Sequence, residues 1–293
     1  MPRYSICGWQ LQSEIELTDL RARPEVLASD FILERGTLAA QAARGIAIGP
    51  VLWQLPGGDL LFDPGDIGRA LITGGRRIVV DVAADATPGE LQAFVLGPIL
   101  VLLGHLKGCI PLHASCVAMP LGAVAFSGRA GAGKSSLAAG LARRGYRLLA
   151  EDVCMISPEG KVLSAAPLVK LTRKSATQLS LGAAETEVRH KQFFRVAKED
   201  DRAPVPLETI YFLEHSAAAA APTIDTLSTN AAVAQVHGAA LMPAAATALY
   251  GDAGHFAATA ALTRRVGVRK LIWPFDLTRI GETLDMIERA GLG

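Results

Sequence analysis

The residues with the most chemical potential are Gly128-Arg129-Ala130-Gly131-Ala132-Gly133-Lys134-Ser135. They fit the pattern G-x-x-x-x-G-K-[ST], a loop that cradles phosphate oxygens with main-chain N–H groups. Ala123–Ser127 before it reads as a buried strand, and the run from Ser135 to Arg144 reads as a helix. That strand–loop–helix context is what the pattern needs. The glycines let the amides turn inward, and the helix N-terminus adds partial positive charge. Lys134 is placed to reach the β- and γ-phosphates, and the Ser135 hydroxyl to ligate Mg²⁺. Ser136 continues the phosphate-binding stretch into the helix. A plain glycine-rich turn would not account for the lysine.

Glu151-Asp152 is the second feature. Phosphate-loop enzymes need an acid at the end of a neighbouring strand to hold Mg²⁺, directly or through water. Here Leu148–Ala150 leads into the pair only one helix and one strand after Lys134. Adjacent residues on a strand point to opposite sides, so one acid could bind metal while the other serves as general base. The alternative is a solvated strand end. His113, in Leu112-His113-Ala114-Ser115, is the third feature. Its strand precedes the one feeding the loop, and a hairpin between them would bring the imidazole near Glu151. There it could orient or tune a carboxylate base. A lone histidine in an apolar strand can equally be structural.

The elements that must position these groups fall into two parts. Residues 1–107 read as a small, mainly β unit. Strand-like runs lie near 4–17, 30–39 and 46–55. Pro56-Gly57-Gly58-Asp59 is a turn between Val51–Trp53 and Leu60–Phe62, giving a hairpin. Arg77–Val82 is a further strand. Thr87-Pro88-Gly89-Glu90 predicts a helix start with a capping box and proline at the first position. That helix, 88–106, closes the unit. Residues 108–293 form the second, α/β unit. Leu112–Ala118, Ala123–Ser127, Tyr146–Ala150, Val153–Ile156, Ile210–Leu213 and Lys270–Pro274 are its strands. Helices are expected after the loop, over 229–249, over 253–266, and from Asp276, a cap, to Ala290. A polar region spans 172–206, and Ser216–Pro222 is an alanine-rich connection.

Composition bounds the partners. The chain has 293 residues, 50% hydrophobic and 19% charged, with formal net charge +1. Such a chain folds around a core and shows no bulk charge for nucleic acid or a membrane surface. Cys7, Cys109, Cys116 and Cys154 have neither zinc nor disulfide spacing and read as buried thiols in a reducing compartment. No secretory signal is legible at Met1–Ser5. The most apolar run, Phe94–Leu103, is broken by Gly97-Pro98 and too short to span a bilayer. A cytoplasmic location is expected.

His113, the loop Gly128–Ser135, and Arg144-Gly145-Tyr146-Arg147-Leu148-Leu149-Ala150-Glu151-Asp152 together resemble the catalytic core of the HPr kinase/phosphorylase family. The resemblance is specific from about 110 to 156. It continues more weakly in Pro206–Leu213 and in Leu271-Ile272-Trp273-Pro274-Phe275-Asp276-Leu277. It implies a phosphate-loop domain related to that of phosphoenolpyruvate carboxykinase. It also implies ATP and Mg²⁺ as cofactors and a serine hydroxyl on a protein as acceptor. Carried over, Glu151 becomes the base, supported by His113. Asp152 and Ser135 become metal-side groups, and Lys134 a phosphate binder. The family often assembles into oligomers, so a homo-oligomer is possible.

The chain departs from the family in two respects. The family has aspartate where Glu151 stands, and the extra methylene moves the carboxylate by roughly 1 Å, enough to matter for near-attack geometry. Either the acceptor sits differently or the two acids exchange roles. No counterpart of the arginine- and glycine-rich loop of the bifunctional enzymes is legible. Arg173, Lys174, Arg189, Lys191, Arg195 and Lys198 fall where it would lie. They could touch phosphate or acceptor, or form a solvated face. The opening Tyr4–Trp9 with Ser13-Glu14-Ile15 looks more like the HPr-kinase-related proteins of peptide tailoring, among them lasso-peptide kinases that phosphorylate a C-terminal serine. The expectation is therefore an ATP-dependent serine kinase of a precursor peptide. Alternatives are a kinase of the phosphocarrier HPr, a nucleotide-binding regulatory module without phosphotransfer, and a small-molecule kinase.

Overall fold

The computed structural model describes residues 1–24, 28–38, 45–165, 168–182, 184, 186–188, 191–195, 203–216, 219–274 and 276–292. The chain divides into two units, Met1–Gly108 with Met242–His255, and Cys109–Leu241 with Phe256–Gly293. The sequence reading had put 242–255 wholly in the second part.

The strands of the first unit are β1 (Arg3–Ile6), β2 (Trp9–Ser13), β3 (Phe31–Arg35), β4 (Ile46–Gly49), β5 (Leu52–Gln54), β6 (Leu60–Phe62), β7 (Gly68–Thr73) and β8 (Arg77–Val82). They form one sheet in the order β1-β2-β3-β8-β7-β6-β5-β4. The expected single strand over 4–17 is a hairpin. Cys7 and Gly8 take positive φ of 52° and 77°, the backbone twist a two-residue hairpin turn needs. The hairpin around Pro56–Gly58 is present as β5 against β6. Helix α1 (Pro88–Leu106) begins with the capping box: Thr87 Oγ1 accepts from the Glu90 N–H, and the Glu90 carboxylate accepts from the Thr87 N–H. Gly97-Pro98 does not interrupt it. The missing N–H of Pro98 is absorbed in a π-helical segment, Val95–Ile99, so the helix stays continuous. At 19 residues it is long and apolar enough to cross a membrane by length and composition, contrary to the sequence reading of the shorter run. In the unit it is largely buried, with Phe94 stacked on Phe62 at 5.6 Å.

The second unit carries β9 (Ile110–Leu112), β10 (Ala114–Met119), β11 (Gly122–Ser127), α2 (Lys134–Arg143), β12 (Arg147–Ala150), β13 (Cys154–Ile156), β14 (Lys161–Leu163), β15 (Leu168–Leu171), α3 (Arg173–Gln178), β16 (Thr186–Val188), β17 (Lys191–Arg195), β18 (Val205–His215), β19 (Thr223–Thr226), α4 (Thr229–Gly238), α5 (Pro243–Arg265, shared between the units), β20 (Gly267–Trp273) and α6 (Ile280–Leu292). The main sheet runs β12-β10-β11-β18-β14-β13-β9, with β20 also on β18 and β19 on β20. Its centre, β11-β18-β20, is parallel. The eleven-residue β18 joins the two wings by pairing with β14 at its start and with β11 and β20 beyond.

Strand periodicity sorts the core into two layers. On β11, Val124 and Phe126 join Leu137 and Leu141 of α2 and Leu284 and Ile287 of α6. Ala123 and Ala125 join Cys116, Ile210, Val236 of α4 and Leu262. Gly140 permits the contact between α2 and α6, because a Cβ there would meet Leu284 at 2.8 Å. The polar region after 172 is a short helix, capped by Thr172, beside a three-stranded sheet β15-β17-β16. β19 and the division of the expected runs 4–17 and 46–55 into β1 with β2 and β4 with β5 were not foreseen.

Candidate active site

The loop leaves β11 at the C-terminal edge of the parallel strands, where open α/β sheets bind ligands. Gly128 has φ 140°, and a Cβ there would stand 3.0 Å from the Leu213 carbonyl of β18, so only glycine lets the chain turn so close to its neighbour. Gly133, at φ 102°, sets the left-handed step into α2. The loop is pinned from below by Trp273, fully buried, whose indole N–H donates to the Ala132 carbonyl at 3.1 Å. Lys134 is buried and folds back along the loop, donating to the Gly128 carbonyl at 2.9 Å and the Arg129 carbonyl at 3.2 Å.

Glu151 and Asp152 do not sit on a flat strand end with opposite faces. β12 stops at Ala150, and Asp152 takes φ 59° in a tight turn closed by Val153 N–H to Glu151 O at 2.6 Å. Aspartate is among the residues that tolerate this conformation. The turn sends the Glu151 carboxylate under the loop. One oxygen accepts from Ser135 Oγ at 2.5 Å and the other from Ser115 Oγ at 2.5 Å. The main chain of Lys170 bonds it as well. Burial, then the neighbouring Asp152 charge, raise the Glu151 pKa to about 7 against these lowering hydrogen bonds. Asp152 is paired with Lys170 of β15 at 3.2 Å, and Lys170 lies over the ring of Phe193.

His113 occupies the break between β9 and β10. Its N–H donates to Ala239 O at 2.9 Å and its carbonyl accepts from Ser127 Oγ at 2.9 Å, which fix the main chain. Its ring does not reach the Glu151 carboxylate. Nδ1 lies 3.1 Å from the Asp152 carbonyl. A carbonyl only accepts, so Nδ1 is the donor in this contact. The imidazole therefore steadies the turn that carries both acids.

Two clefts flank the loop within the second unit. The first, about 730 Å³, is lined by Lys134, Ser135, Ser136, Asp152, Lys170 and Lys174 among others. The second, about 950 Å³, is lined by Gly128, Arg129, Leu213, His215, Gln235 and Lys270 among others. His113 and Ala130 border both. Gly131 and Gly133 line the first and Ala132 the second, so all the loop residues singled out from the sequence gather here.

Of the basic residues after 172, Lys174 lines the first cleft, whereas Arg173 and Arg195 do not. Arg189, Lys198, the side chain of Lys191, and Phe275 lie outside the described residues. Ser115, Lys170 and Trp273 were not assigned roles from the sequence. Ser115 had the one usable signal, a hydroxyl two residues after His113 on a strand facing Ala150.

The residues present fit a nucleotide-bound Mg²⁺. A hydroxyl and a carboxylate oxygen are hard donors, and no cluster of three or more His, Cys, Asp or Glu offers a closed metal site among the described residues. Magnesium favours such an open site, taking its remaining ligands from water and phosphate.

No protein-family model matches the chain, and no curated protein matches it. Among solved structures, the Hpr(Ser) kinase/phosphatase from Coxiella burnetii matches with 15% identity, over 62% of this chain and 97% of that one, at a TM-score of 0.26. A score that low leaves the fold to be described by its own strands: a mixed α/β chain with several sheets.

Proposed function

We propose that the protein is an ATP-dependent kinase that phosphorylates a hydroxyl, with a serine on a peptide or small protein as the favoured acceptor. The observation that carries this reading is the 2.5 Å contact between Ser135 Oγ, at the head of the loop helix, and the Glu151 carboxylate. Hydroxyl and acid meet where a nucleotide's metal is held in phosphate-loop enzymes. The roles that the family resemblance gave to the two acids are exchanged: Glu151 stands on the metal side with Ser135, and Asp152 acts as base. Lys134 swings from the Gly128 and Arg129 carbonyls onto the phosphates. Mg²⁺, when bound, supplies charge neutralisation of the phosphates.

Asp152 sits beside the His113 ring and within reach of Lys170. In the reaction the acceptor oxygen bonds to the terminal phosphorus, the bond to the bridging oxygen breaks, and ADP leaves. The hydroxyl proton passes to Asp152, and Lys170, released from that acid, meets the negative charge of the transferred group.

The test is incubation with ATP and Mg²⁺ of two acceptors, a precursor peptide ending in serine and the phosphocarrier HPr, read by intact mass. Phosphate added to the peptide supports tailoring, and phosphate on HPr alone replaces it with the carrier. ATP bound with neither acceptor modified, nor free serine, would leave the regulatory module. The Lys170–Asp152 pair is the feature that favours that second reading, because it occupies the base.

A further inference from the structure

The peptide between Ala132 and Gly133 closes the loop just before Lys134, and its two ends face opposite ways. Ala132 is buried, and its carbonyl accepts from the Trp273 indole N–H at 3.1 Å. No peptide bond among the described residues is cis, so the Gly133 N–H points opposite to that carbonyl. The oxygen is turned toward the core and the N–H away from it, and Gly133 lines the first cleft. A phosphate oxygen on that side meets a donor here. The bonds on either side, Ala132 N–H to Arg129 O at 3.1 Å and Leu137 N–H to Gly133 O at 2.9 Å, hold the neighbouring planes and not this one. Gly133 stands at φ 102°, and glycine takes either sign of φ at little cost. A half-turn of the single plane would put the Ala132 oxygen where the N–H now points, and a carbonyl there repels phosphate.

The restraint comes from 141 residues further along the chain. Trp273 ends β20, where it pairs with His215 of β18, and its own carbonyl accepts from the Ser216 N–H at 3.1 Å. Its ring is fully buried, in the same core layer as Leu137, Leu213, Leu271 and Leu284. A side chain anchored by both strand and core does not follow the loop, so the loop conforms to it. Resting on the kinase reading, we propose that Trp273 is a positioning residue: its indole N–H locks the Ala132–Gly133 peptide with the amide toward phosphate. It thereby sets the affinity of the loop for ATP without touching the nucleotide. The same bond satisfies a buried carbonyl, so the orientation that binds phosphate is also the one that leaves no acceptor stranded in the core.

The experiment separates the N–H from the ring. Trp273→benzothienylalanine keeps the shape of the side chain and puts sulfur, which does not donate, in place of the N–H. Trp273→Phe is the second variant should the first fail to fold. Titration calorimetry with Mg·ATP reads the affinity. The net worth of one neutral hydrogen bond corresponds to about 3- to 10-fold, so Kd should rise by that factor. In the nucleotide-free protein, NMR of isotope-labelled glycine reads the Gly133 amide. It should give one sharp signal in wild type and a doubled or exchange-broadened signal in the variant, where the peptide populates both orientations. A tryptophan that only fills the core would move neither readout when an isosteric ring replaces it. Unchanged affinity overturns the assignment, and so does weaker binding with a single sharp Gly133 signal. Wild type that binds no ATP defeats the kinase reading itself and this inference with it. Binding in wild type with the wrong outcome in the variant defeats the inference alone.

Discussion

Replacing Glu151 with glutamine should remove a pH dependence from the stability of the metal-free protein. The carboxyl titrates near 7 in the folded chain, against 4.5 for the free group, chiefly because it is buried. Between those values the folded state holds a proton that the unfolded state has released. The contribution is therefore fully present below about 4.5 and is lost as pH rises through about 7. At 1.36 kcal/mol per pKa unit the whole loss is at most about 3 kcal/mol, and the partial exposure of Glu151 lowers it toward about 1–2. Glutamine has nearly the same shape, accepts from one of Ser115 and Ser135 through Oε1 and donates to the other through Nε2, and does not titrate. Calorimetric unfolding in EDTA from pH 5 to 8 should show wild type losing on the order of 5 °C relative to Glu151→Gln as pH rises. Curves that stay parallel within about 1 °C would refute the argument, because the carboxyl would then titrate alike in both states. Adding Mg²⁺ and ATP should shrink the difference, since a cation favours the ionised carboxylate.

Lys134→Ala should weaken ATP binding by about 10- to 150-fold, the worth of charge-assisted hydrogen bonds, as read by titration calorimetry; unchanged affinity would remove the lysine from the phosphates. Ser115→Ala deletes one of the bonds that hold the Glu151 carboxylate charged, so the titration above should move further upward and Mg²⁺ dependence shift to higher concentration, whereas a purely structural serine would leave both in place. Gly128→Ala forces a Cβ to 3.0 Å from the Leu213 carbonyl at φ 140°, which should cost about 1–3 kcal/mol in urea unfolding and weaken ATP binding as well.

The legible parts of the sequence were those set by local chemistry. Thr87-Pro88-Gly89-Glu90 specifies a helix start by its own hydrogen bonds, and it starts one. The glycines and Lys134 specify a loop between strand and helix, and the loop is there. What stayed hidden depends on non-local pairing. Beyond its place two residues after His113, nothing near Ser115 announces that Glu151 will lie against it, because β10 meets β12 only through the sheet. Lys170 looks like any basic residue until β15 carries it to Asp152. The sequence does predict a helix over 88–106; what it does not show is that the apolar run continues through Gly97-Pro98, where a π-turn absorbs the donor that proline lacks.

The choice of glutamate at 151 has a physical reading in this geometry. Asp152 is held in a left-handed turn, so the residue before it leaves the strand early and points beneath the loop rather than beside it. An extended carboxylate bridges Ser115 Oγ and Ser135 Oγ at 2.5 Å each, one hydroxyl on β10 and one at the head of α2. A chain one methylene shorter would forfeit one of these contacts unless the turn moved by roughly 1 Å. Glu151 and Ser115 then form a unit, and their changes should not add. In a double-mutant cycle, Glu151→Asp should cost metal affinity in the wild-type background and much less once Ser115 is alanine. Equal costs in the two backgrounds would show that the serine does nothing for the acid.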